Sequence, residues 1–284
     1  MAPKLWDLLY ESNGIINSQP RHYLTLSLIF LLPLSLISQL MLKHLQQNPP
    51  TITNPTTIFF LSLFLFLISS ILSYGAFITI TYSVYNAFFN QPVKLKEAIK
   101  SISTSFFPLL ATSAITFTIY FFISFLFMFL NGLVLFFIFF ILGHIDLMTN
   151  PSFLLIYFMV SMILIVPLVI YLEVYITLVK VIVVVESCWG LEPLKRSWKL
   201  VKGMKWLAFS TIFLFGTLQM ILVWISGYSW VLIFVVSPIL VVLLLYYIAV
   251  CTLLYIYCKE KQGELAVEEF GKEKDEANLS LIPL

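Results

Sequence analysis

The chain predicts an all-α fold: a polytopic membrane helical bundle of six transmembrane helices, with pseudo-repeats and interfacial amphipathic helices. Three observations carry this. Mean hydropathy is +1.00 and only 11% of the 284 residues are charged, against roughly a quarter in soluble domains. Several apolar runs reach the roughly 20 residues that cross the hydrocarbon core as a helix, and the alternation of a β-barrel is absent. A basic segment occurs twice at a 99-residue displacement, LKEAIKSISTSFFPLL from Leu95 and LKRSWKLVKGMKWLAF from Leu194. Inside lipid every backbone polar group needs an internal partner, so the spans are helices packed together.

The elements follow in order. No short apolar region with a cleavage site opens the chain, so the first span is expected to serve as its own insertion signal. The spans read Leu24–Leu42, Ile58–Ile80, Phe106–Leu130, Phe153–Leu172, Met204–Ile225 and Trp230–Tyr257. Pro33, Pro167 and Pro238 lie within spans and should kink them. The loop at 43–56 carries Lys43, His44, Pro49, Pro50 and Pro55 and should be irregular. The second apolar run, Ile58–Phe89, is about 48 Å long at 1.5 Å per residue. Its cluster Ser69, Ser70, Ser73, Tyr74 and Gly75 suits close helix packing, with the lining of a polar cavity as the alternative. The third run, Phe106–Leu142, could be read as two spans broken at Asn131–Gly132. Ser226–Ser229 reads as a tight hairpin.

Charge settles the count. Of 16 Lys and Arg, 14 fall in four places: Lys4 and Arg21; Lys94, Lys96 and Lys100; Lys195, Arg196, Lys199, Lys202 and Lys205; and Lys259, Lys261, Lys272 and Lys274. With six spans all four face one side, and the positive-inside rule makes that side cytoplasmic. Both termini are then cytoplasmic, and Leu133–Ile145 lies on the outer face. An extra span at Asn131 would put the basic segments on opposite sides. The organisation that follows is a membrane domain over 1–258, with repeats near 10–89, 92–186 and 191–258. A mixed-charge tail over 259–284 has the composition of disorder.

In the second basic segment Leu194, Trp198 and Val201 recur at i, i+4, i+7, and Lys195, Lys199 and Lys202 form a neighbouring stripe. This is the pattern of a short helix lying in the inner interface. Pro92–Ser103 and Pro193–Lys202 are expected to form matching helices. A third copy aligns at an 84-residue displacement, with Ile15 on Ile99 and Tyr23 on Phe107. Lys195, Arg196, Lys199 and Lys202, flanked by Trp198 and Trp206, are expected to meet anionic headgroups of the inner leaflet, at about 1 kcal/mol per basic side chain.

The stretch Val183–Trp206, VVVESCWGLEPLKRSWKLVKGMKW, resembles the membrane domain that accompanies some bacterial glycerophosphodiester phosphodiesterases. The matching positions are Glu186, Gly190, Ser197, Trp198, Leu200 and Gly203. Pro193 stands where that pattern more often has Ala. The whole chain is also similar to multi-pass plant proteins of the same type. The resemblance implies a multi-pass helical fold and no activity, because the phosphodiesterase chemistry belongs to a separate soluble barrel for which this chain has no room.

Two charges sit inside an apolar run. Glu173 and Lys180 either anchor the span at the interface or form a polar site within the bundle. His144 with Asp146 is too little for a metal site. Cys188, Cys251 and Cys258 have no metal spacing. Cys188 and Cys258 fall near membrane edges, where acylation is the alternative to ordinary packing. Nucleophile elbows, phosphate loops and paired carboxylates are absent. The reading is a non-enzymatic protein that takes no cofactor and no nucleic acid. It would organise membrane or interact with protein and lipid, with the tail as a route to a protein partner. The rival is a carrier for a small or lipid-like solute, and the third is an enzyme on a lipid substrate. Polar residues converging at mid-bilayer would favour the carrier, and a sealed apolar core with a large outward apolar surface would favour the first reading. The observation that bears most on this is whether the bundle holds a cavity containing Glu173.

Overall fold

The computed structural model describes residues 4–47, 55–91, 93–142 and 151–264. Among them, six helices are long and apolar enough to cross a membrane, and no residue is in a strand. The six stretches are Pro20–Lys43, Phe60–Phe88, Leu95–Ile138, Leu155–Glu186, Lys205–Ser226 and Trp230–Lys261. They overlap the six expected spans one for one.

The first helix, α1 (Leu5–Ser18), buries Leu8, Ser12 and Ile16 at i, i+4 and i+8. Its start is fixed by the Lys4 backbone N–H, which donates to Asp7 Oδ2 at 2.7 Å. Pro20 cannot continue α1 and instead opens α2 (Pro20–Leu26), where its missing N–H costs nothing. A π-helical turn, Ser27–Leu31, then precedes α3 (Leu32–Gln47). Pro33 explains the turn. Its ring would clash with the carbonyl of Ile29 in an unbroken α-helix, and a wider turn relieves that. α4 (Pro55–Phe88) is continuous over 34 residues. Gly75 of α4 lies under the Phe30 ring, where a Cβ would stand 2.8 Å from a ring carbon.

α5 (Leu95–Leu142) is a single helix of 48 residues. This corrects the expectation of a separate interfacial helix ending near Ser103. Pro92 itself lies outside the described residues. In the second copy the interfacial helix is separate: α8 (Glu192–Val201) ends at a turn over Lys202–Met204, and α9 (Lys205–Ser226) follows. The difference is local. Gly203 at that turn corresponds to Thr104, which stays helical and donates to Ser101 O at 2.9 Å. The environments still correspond at the 99-residue displacement. Ala98 and Ser197, Ser105 and Met204, Leu109 and Ala208, and Thr112 and Thr211 are all buried, while Phe107 and Trp206 are exposed. At the 84-residue displacement they differ, because Tyr23 is buried where Phe107 is exposed.

The fourth span is broken. α6 (Pro151–Ile176) stops, Thr177 and Leu178 make a turn, and α7 (Val179–Glu186) resumes. The last helix, α10 (Trp230–Lys261), starts where Ser229 Oγ accepts from the Leu232 N–H. It runs past the expected tail boundary at 259. Lys259 is 3% exposed, and the Lys261 ammonium donates to Gly203 O at 2.8 Å.

α10 is the axis of the bundle and packs against α1, α3, α4 and α9. The core gathers at the end that carries α8, from Ile78–Val84, Val174–Val184 and Leu245–Cys258. We call this the basic end and the α9–α10 turn the hairpin end. None of the most apolar stretch of α5 is buried. α5 meets α6 through polar bridges: Tyr157 and Ser161 hydroxyls donate to Asn131 Oδ1 at 2.9 and 2.8 Å.

Candidate functional site

The fourth span breaks at Thr177 and Leu178. Thr177 sends both its N–H (2.9 Å) and its hydroxyl (2.6 Å) to the Glu173 carbonyl. The same hydroxyl-to-carbonyl bond occurs at Thr79, Ser83, Thr112 and Thr211 inside unbroken helices, so it accompanies the break and does not by itself cause it. Glu173 sits in the last turn of α6 and Lys180 in the first turn of α7. Both occupy the helix end whose dipole disfavours their charge. That placement does nothing for the stability of either half-helix.

The two charges face one cavity of about 170 Å³. Ser73 and Phe77 of α4, Ile176 and Thr177 of the joint, and Tyr247 and Cys251 of α10 also line it, with Leu31 and Leu34 closing one side. Tyr120 of α5 donates its hydroxyl to Glu173 Oε2 at 2.5 Å. The Lys180 ammonium lies 5.8 Å from the centre of the Phe77 ring. Among the described residues neither Glu173 nor Lys180 makes an ion pair. The structure thus brings together one carboxylate, one ammonium and several hydroxyls at a broken helix inside a span. Of the small-residue cluster, Ser73 lines the cavity and Gly75 serves close packing. Ser69 and Ser70 bond back to Phe66 O in their own helix.

The basic segment divides. Lys195, Lys199 and Lys202 are exposed, and Trp206 is 82% exposed. Arg196 is the correction: it is held by two carboxylates of the protein and not left for headgroups. It pairs with Glu186 at the end of α7 and, at 2.8 Å, with Glu264 beyond α10. Tyr255 donates to the other Glu186 oxygen at 2.5 Å. Half a turn on, Trp198 stacks on Tyr175 at 3.9 Å with rings 17° apart, and Ser197 donates to Tyr175 O at 2.5 Å. The positions that carried the family resemblance therefore form a joint. Glu186 anchors Arg196, and Gly190 turns the chain at φ +85°, a region glycine enters freely. Ser197 and Trp198 grip Tyr175, Leu200 is buried, and Gly203 accepts from Lys261.

Sequence reasoning missed Tyr120, Tyr255, Asn131 and Gln39. Gln39 is buried, and neither atom of its amide has a partner. The available signal was the polar set Ser35, Gln39, Lys43 at i, i+4, i+8 in an otherwise apolar span. His22 lies 3.0 Å from Ser83 Oγ. His144 and Asp146 lie outside the described residues, among which no group of three or more ligand-type side chains could hold a metal. Cys258 is 1% exposed, which leaves its thiol closed to acyl transfer. No family model matches the chain, and neither a curated protein nor a solved structure matches it significantly.

Proposed function

We propose that this multi-pass membrane protein is a carrier for a small solute bearing both a negative and a positive group. The carrying observation is the cavity at the α6–α7 break, where Glu173, Lys180 and hydroxyls converge. Broken helices at mid-span are where secondary transporters place their substrate sites. Intramembrane charge is expensive and is retained for function. The carboxylate suits the solute's cation, and Lys180 with the adjacent amides of α7 suits its anion. At about 170 Å³ the cavity is smaller than the roughly 300–1,000 Å³ that hold drug-sized ligands. A small zwitterion is therefore favoured over a lipid.

In this reading the basic end faces the cytoplasm, and Lys195, Lys199, Lys202 and Trp206 rest on an anionic leaflet. Glycine, alanine, proline and betaine, each radiolabelled, are the probes in proteoliposomes. Saturable uptake of at least one is expected, with a loss of about tenfold in Glu173→Gln and in Lys180→Gln, as for a removed charge contact (about 1.4 kcal/mol per decade). Wild-type uptake equal to that of the doubly substituted protein refutes the carrier. The membrane-organising reading, which the bare flank of α5 supports, would then remain.

A further inference from the structure

The cavity has to open to one side, and α3 carries the means. Ser35, Gln39 and Lys43 lie four residues apart on one face of α3 and are all buried, although they sit among apolar neighbours in a span. α3 runs antiparallel to α10. At one end Leu31 and Leu34 share the cavity with Leu244 and Tyr247, and at the other Lys43 lies 5.6 Å from the Trp230 ring. Ser35 donates to Leu32 O in its own helix, and Ser237 of α10 to Ile233 O. Gln39, between them, is 3% exposed with its amide oxygen and nitrogen both unpartnered. An amide shut in apolar surroundings without partners is strongly disfavoured. Leucine would serve packing better. Lys43 closes the row by donating to Gly227 O at 2.8 Å. Gly227 also lines an open groove of about 690 Å³ at the hairpin end, with Leu42, Gln219 and Trp224.

We propose that Ser35, Gln39 and Lys43 line a hydrated path from the cavity to the hairpin end, with water on Gln39 and the Lys43–Gly227 bond as its latch. The path rests on the carrier reading for what it conducts, but its hydration can be read separately. Water supplies the partners that Gln39 lacks. Release of Lys43 from a single carbonyl opens the row to the groove at Gly227.

Cysteine accessibility tests this in sealed proteoliposomes of the full chain. Single substitutions Ser35→Cys, Gln39→Cys and the lipid-facing control Leu40→Cys are exposed to 2-aminoethyl methanethiosulfonate from one side. Free cysteine on the other side quenches reagent that crosses. Tyr228→Cys and Lys199→Cys report which side is which, and mass spectrometry locates the label among the native cysteines. The reagent needs a thiolate, which forms in water and not in hydrocarbon, so Gln39→Cys should react at least about tenfold faster than Leu40→Cys. It should do so from the Tyr228 side, and adding Lys43→Ala should quicken it further. Ser35→Cys is nearly isosteric and gives the same reading if Gln39→Cys does not fold. Labelling no faster than at Leu40, or only from the Lys199 side, overturns the path. A labelled Gln39→Cys in a protein that takes up no zwitterion upholds the path and defeats the carrier. Uptake with an unlabelled row does the reverse.

Discussion

Replacing Arg196 by Ala separates the pairing seen in the structure from the headgroup contact that the sequence suggests. The Glu186 side chain is 16% exposed and that of Arg196 31%. Removing one partner of a fully buried pair costs about 3–5 kcal/mol, because the other charge is stranded. Partial exposure lets water repay some of that, so Arg196→Ala should cost about 2–3 kcal/mol. The stranded group is Glu186, so Glu186→Gln in the same chain should recover part of the loss. The coupling between the two positions should be about 1.5–2.5 kcal/mol, as for contacting residues in one network. Glu264 is 28% exposed, and its coupling to Arg196 should stay below about 1 kcal/mol. The assay is reversible unfolding in mixed micelles, with Lys195→Ala as the reference. A freely exposed lysine should change stability by less than about 0.5 kcal/mol. If Arg196→Ala costs no more than Lys195→Ala, or if Arg196 couples more strongly to Glu264 than to Glu186, the clamp is not what the geometry says.

Asn131→Leu removes the acceptor that Tyr157 and Ser161 share. Tyr157 keeps the Asn131 backbone oxygen at 2.8 Å, so the variant loses chiefly the Ser161 bond. Interhelical hydrogen bonds in membranes average about 0.6 kcal/mol and reach about 1.7, and a loss of about 0.5–1.5 kcal/mol is expected in the same assay. Gly132→Ala, which would point a methyl into open space, should cost nothing, and equal losses in the two would refute the bridge. Burial raises the Cys188 thiol above its usual range, and Glu186 and Glu192 raise it further. A raised thiol has less thiolate at neutral pH, so alkylation by iodoacetamide at pH 7.4 should be slower than for free cysteine and should still be climbing above pH 9. A plateau at or below pH 8.5 contradicts that environment.

The six spans were legible because hydropathy over about 20 residues is a property of each segment alone, and lipid allows little except helix there. Charge argued against an extra span at Asn131, but α5 as one helix from Leu95 was not legible, because the basic segment read as a separate interfacial helix. The joint at Thr177 was not legible. Nothing in LEVYITLVKVIVVVE separates a helix from two half-helices. The same gap explains why Glu173 and Lys180 had two readings. Hydropathy along one segment carries no information on which side chains of α4 and α10 share a cavity with them. Arg196 was assigned to headgroups because only Glu186 and Glu192 were close in sequence. Its second partner, Glu264, arrives from 68 residues away, and no periodicity encodes that approach. Gln39 was hidden for a simpler reason: one amide in a leucine-rich span reads as tolerable until its burial is known.

The length of α5 has a consequence for the bilayer itself. From Phe106 to Leu142 the helix is apolar and unbroken, and 37 residues at 1.5 Å each make about 55 Å. The hydrocarbon it must cross is about 30 Å thick, or about 33 Å in the thickest cellular membranes. Tilt alone cannot absorb the surplus. At about 40°, the upper end of what transmembrane helices adopt, α5 still occupies about 42 Å of depth, and fitting it to 30 Å would need about 57°. Surplus apolar length must therefore be covered by lipid that thickens or bows around the α5 flank, or by other apolar surface gathered there. Each ångström of such mismatch costs a fraction of a kcal/mol, so a flank of this height acts on the membrane as a wedge of fixed size. Such a flank fits thick bilayers better than thin ones.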